Sequence, residues 1–87
     1  MPRYFFHLHD GQDLPDLIGS DHPDVAGARA EAVESIAERL RGRLLEGSDV
    51  SAWIMNVTDE LGITVLILSF AATVHIVTPM ASHAEEP

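Results

Sequence analysis

Two histidines, His7 and His9, stand two residues apart in the opening PRYFFHLHDG, and metal ligation is the chemistry such a pair could do. On a β-strand, residues i and i+2 project from one face about 7 Å apart, so two imidazoles could converge on one ion. Asp10 could add an oxygen, and His22 could come in from the loop that follows. Zinc takes three or four ligands, however, and the spacing beyond the first pair is undetermined. The leading expectation is two sheet-face histidines that hydrogen-bond to neighbours or water. A metal-binding accessory protein built on His7 and His9 is the alternative.

Other chemistry finds less support. Asp13, Asp16, Asp21 and Asp24 are dense enough to suggest calcium, but the D-x-[DN]-x-[DN]-G loop with its closing Glu is missing. Aspartates in a Pro/Gly-rich loop serve turns and helix caps, and Asp24 has the position of an N-cap. Ser20, Ser35, Ser48, Ser51, Ser69 and Ser82 sit in no G-x-S-x-G elbow, and neither a P-loop nor a G-x-G-x-x-G is present. The chain has no cysteine, which excludes thiol catalysis, disulfides and thiolate metal sites. A chain of 87 residues has little room for a large ligand pocket beside its core. These features argue against an enzyme and for no cofactor.

Charge narrows the partners. Five cations, all arginine, against fourteen acids leave a net charge of −9. A nucleic-acid binder draws most of its affinity from cations that neutralise phosphates, so DNA and RNA are not expected. Arg39, Arg41 and Arg43 do cluster, but Glu34, Glu38 and Glu46 lie among them. A basic protein partner is compatible with this balance. The cysteine-free composition and an N-terminus without the long apolar core of a secretion signal fit a cytoplasmic protein.

The elements that position these groups follow from periodicity. Tyr4 to His9 alternates as a strand, with Tyr4, Phe6 and Leu8 on one face and Phe5, His7 and His9 on the other. Asp10-Gly11 supplies a turn, and the Pro/Gly-broken stretch after it leaves room for one short edge strand near Leu17. Beyond Asp24, Ala28, Ala32, Ile36, Leu40 and Leu44 recur every four residues, with Val25, Val33 and Ala37 widening the stripe. This predicts a long helix, with alanines that allow close approach to the layer beneath and Gly47 as its stop. Trp53, Met55 and Val57 alternate with Ile54, Asn56 and Thr58 in the next strand; TDELG turns the chain, and ITVLILSF is apolar on both faces.

From Leu61 to Ala84 there is no Asp, Glu, Lys or Arg, which is long enough to raise a transmembrane helix. Its β-branched residues, the polar Thr64, Ser69, Thr73 and His75, and the missing flanking cations favour strands instead, and no membrane association is expected. Residues 71–77 prolong the last strand or form a further one. Residues 1–77 then form a single α+β domain of order β-(β)-α-β-β, a small antiparallel sheet with one long helix packed on one face. Residues 78–87 form a flexible C-terminal tail.

The opening MPRYFFHLHDG, the helical ARAEAV and the later WIMNVTDELG together resemble a family of short bacterial proteins known only as a domain of unknown function. The resemblance covers residues 2–70 and implies a small α+β domain without catalytic residues to carry over; the segment from Ala71 onward lies beyond the family's usual end. The element order is also similar to that of HicB-type antitoxins, which implies an inhibitor of a basic protein partner. One helix covers only one sheet face, so Phe5, Ile63, Val65, Ile67, Val74 and Ile76 are the candidate interface. A homodimer, sheet against sheet or edge against edge, is the expected solution, and a tail folded back over that face is the alternative. The functional expectation is a small acidic, non-catalytic partner-binding or regulatory module acting as a homodimer.

Overall fold

The computed structural model describes residues 1–77 and places six elements in the order β1 (Arg3–His9), β2 (Asp13–Leu14), β3 (Ser20–Asp21), α1 (Val25–Leu45), β4 (Val50–Thr58) and β5 (Thr64–Ala72). The fold is α+β: one antiparallel sheet in the order β2-β1-β4-β5, with β3 also pairing with β1, and one helix on one face. The expected C-terminal tail lies outside the described residues. Among those described, no helix is long and apolar enough to cross a membrane.

Alternation along β1 and β4 decides which face meets the helix. Register pairs Phe6 with Val57 and Leu8 with Met55, while β5 sets Leu68 beside Met55 and Leu66 beside Val57. Tyr4, Leu8, Met55 and Val57 are buried with Ala28, Ala32 and Ile36 of α1 in one cluster. Ala28 and Ala32 are completely shielded, as close helix–sheet approach requires of small side chains. Trp53 closes one end of this layer. Its ring meets Phe70 edge-on at 5.5 Å, and the Arg43 guanidinium lies 5.5 Å from its centroid, a cation–π arrangement.

The helix ends follow the sequence signals. The Asp24 carboxylate accepts the Gly27 N–H at 2.9 Å. At the other end, Gly47 takes φ +91°, its N–H reaches the Leu44 carbonyl, and the Ser48 N–H reaches the Arg43 carbonyl, a Schellman motif. In the β4–β5 turn, Asp59 accepts the N–H groups of Leu61 and Ile63.

Three expectations need correction. No strand forms near Leu17: Leu17 and Ile18 are exposed, and two-residue strands on either side, β2 and β3, pair with β1 instead. Pro15 and Gly19 interrupt the ladder between them. Val65 was expected on the outer face with Ile63 and Ile67, yet it packs against the core cluster. The register shifts there, with Val57 opposite Leu66 but Thr58 opposite Thr64, so Val65 is the extra residue of a bulge. Finally, β5 extends only to Ala72; residues 73–77 are not strand, and the Val74 N–H bonds to Asp49.

Overpacking tests the alanine layer. The Ala32→Leu substitution is expected to destabilise the domain by about 1–3 kcal/mol, read as a lower urea midpoint, because a fully shielded position has no free volume to receive the extra carbons.

Candidate functional site

His7 and His9 do share the face away from α1, as β1 alternation requires, and Asn56 lies opposite His7 in β4. His7 is fully engaged. The Asp16 N–H donates to His7 Nδ1 at 3.1 Å, which leaves the proton on Nε2, 3.2 Å from Thr58 Oγ1. His9 Nδ1 bonds instead to the Asp13 carboxylate. With both nitrogens of His7 committed, a metal ion there would have to displace one of these bonds. His22 is far from this pair in role: its Nε2 meets Glu31 Oε1 at 2.6 Å, its ring lies against Tyr4 and Phe6, and Glu31 also accepts from the Ser20 hydroxyl. That cluster fastens β3 to α1. Among the described residues, no three or more His, Cys, Asp or Glu side chains gather as a metal site.

A shallow cavity of about 290 Å³ does lie on the outer face, lined by His7, His9, Asp13, Leu14, Pro15 and Asn56. The Asn56 Oδ1 atom is buried and accepts no hydrogen bond among the described residues.

The organising group beside the histidines is Asp16, which sequence reasoning placed only among the turn and cap formers. It lies in the break between β2 and β3. One carboxylate oxygen accepts the Phe6 N–H at 3.1 Å, and the other accepts those of Ile18 and Gly19. Asp16 thus supplies β1 with the acceptor a continuous strand would have given. Burial pushes its carboxyl up, but the N–H groups of Gly19, Phe6 and Ile18, with a contribution from His7, outweigh burial and hold it below the usual carboxylate range.

The proposed interface residues do not form one patch. Phe5 is half-buried on the outer face, and Ile67 is 61% exposed on the same side. Ile63 lies exposed just ahead of β5, Val65 belongs to the bulge, and Val74 and Ile76 lie exposed past the strand's end, lining a hollow with Leu44 and Gly47. What the structure brings together is a surface that shares only Ile67 with that set. A trough of about 520 Å³ runs between α1 and β5, lined by Val33, Ala37 and Leu40 from the helix and by Leu66, Leu68 and Phe70 from the strand. Beside it, among the described residues, no further strand pairs with the outer edge of β5. The signal was present in the sequence: Val33 and Ala37 sit on the side of the helix stripe, but only the strand order shows that no element among the described residues covers that side.

The family model described as a domain of unknown function, DUF6894, matches residues 3–71. The chain belongs to this family. The matched span holds every element, from the first residue of β1 to within one residue of the end of β5. No curated protein and no solved structure matches the chain, so the likeness in element order to HicB-type antitoxins gains no support from either.

The Asp16 network generates a test with two readouts. Asp16→Ala leaves three backbone donors without their acceptor and is expected to cost about 1–3 kcal/mol in urea unfolding. Because the folded carboxyl titrates below the unfolded one, the native state binds fewer protons in that window, and stability rises with pH through it. The Asp16 contribution is therefore complete above the ordinary carboxylate pKa and is lost as pH falls through the depressed value. Between neutral pH and strong acid, the stability gap between wild type and Asp16→Asn is expected to narrow. A gap that stays constant across this range would contradict the assignment.

Proposed function

We propose that this domain is a non-catalytic, partner-binding module that acts as a homodimer. The observation that carries the reading is the outer edge of β5. Nine residues long, from Thr64 to Ala72, it contains no charged residue and no proline. Proteins that remain monomeric blunt such an edge with charges, prolines or a covering element, because its unpaired backbone groups otherwise template association. A further feature supports the reading: the apolar trough lies directly beside this edge.

A non-catalytic role is supported by how the polar side chains are used. Asp16, His7, Asp24, Asp59 and the His22–Glu31 pair each bond to backbone or neighbouring side chains that hold loops and caps in place. The two hydroxyls that meet such groups are tied into the structure: Ser20 bonds to the Glu31 carboxylate that also holds His22, and Thr58, beside His7, is buried.

Sedimentation equilibrium on the purified chain at tens of micromolar is expected to give twice the monomer mass of 9.5 kDa. A single monomeric species at every concentration would overturn the homodimer.

A further inference from the structure

The occupant of the trough is set by the geometry of α1 and β5 together. A second apolar stripe runs along α1 beside the buried one: Ala26, Ala30, Val33, Ala37, Leu40 and Leu44 alternate at spacings of four and three. That is the spacing of a helix–helix seam, and it differs from the stripe of Ala28, Ala32 and Ile36 that meets the sheet. Ala26, Ala30, Val33 and Ala37 are exposed, with Val33 at 43%, and Val33, Ala37 and Leu40 line the trough on the side of β5's free edge. The helix therefore offers a seam with no partner among the described residues, and the sheet offers an unpaired edge on the same side.

We infer that a second copy of this chain fills both at once, with β5 pairing antiparallel to the partner's β5 near Leu68 and the two α1 helices packing along this stripe. The inference rests on the homodimer proposed above and specifies its interface. Three arguments favour a second copy over another occupant. First, a two-fold axis beside β5 pairs the strand with itself antiparallel, which keeps Leu66, Leu68 and Phe70 of both copies on the helix side. Second, α1 packs on β5 as well as on β4, so a two-fold axis just outside β5 brings the two helices side by side over the paired strands, where helices usually pack about 8–10 Å apart. The alanines of the stripe permit that approach. Third, the trough is lined by a single charged residue, Arg29, although the chain carries a net charge of −9. The acids that would oppose self-association therefore do not line it.

Two substitutions and one cross-link test this arrangement. Ala37→Glu sets like charges against each other in the seam and is expected to weaken the dimer at least tenfold in sedimentation. Its far-UV circular dichroism should match wild type, since Ala37 is exposed in one copy, while its urea midpoint should fall only to the value wild type shows when diluted to monomer. Ile54→Lys, on the outer sheet face, is expected to leave the dimer intact. In this cysteine-free chain, Ala37→Cys or Val33→Cys is expected to form an inter-chain disulfide under mild oxidation, whatever the fate of the charged variants. A wild-type monomer would remove the homodimer and this interface together. A wild-type dimer that survives Ala37→Glu, dissociates with Ile54→Lys, or yields no cross-link at either cysteine would keep the homodimer and overturn this interface.

Discussion

A single α-helix is narrower than the sheet it has to cover. With its side chains a helix is about 10–12 Å across, the width of about two strands spaced 4.8 Å apart. Here α1 lies over β4 and β5, and the remaining sheet must be closed by other means. On the β1 side the means are local: Leu14 packs against the core, His22 lies against Tyr4 and Phe6, and Glu31 ties both His22 and Ser20 to the helix. The completely shielded alanines let the helix sit close enough for this thin layer to exclude water.

The two edges of the sheet are treated in opposite ways. Beyond β1, strands of two residues carry Asp13 and Asp21, Pro15 interrupts them, and the Asp16 carboxylate takes the β1 N–H left between them. Such an edge cannot propagate. Beyond β5, among the described residues, there is none of this. The bulge at Val65 disturbs one end of the strand and a second register shift, on the β4 side, falls near the other, but the strand carries no charge and no proline. In a chain with fourteen acidic residues, leaving one edge free of charge concentrates the sticky surface in one place.

Much of this was legible from periodicity. The faces of β1 and β4, the Asp24 cap, the Gly47 stop and the turn at Gly62 all follow from patterns two to four residues long, which local backbone preferences dictate. What escaped were features set by partners distant in sequence. The extra residue at Val65 depends on how β5 meets β4, and no local signal marks it. Asp16 looked like one aspartate among four, because its role is created by a donor ten residues earlier in β1. Alternation along β1 and the 63–77 segment points to Phe5 and outward residues of the C-terminal stretch, whereas the surface that the fold assembles draws half its lining from α1.

The pairing of β1 has a consequence for where the chain can be cut. Although β1 opens the sequence, it lies inside the sheet, with β4 along one side and the short β2 and β3 pairing with it as well. Joining Phe5 to Thr58 closes a loop of most of the domain, and that loop entropy is recovered only through the full ladder between the two strands. β1 is thus the keystone of this domain, and removing it would strip three strands of their common neighbour.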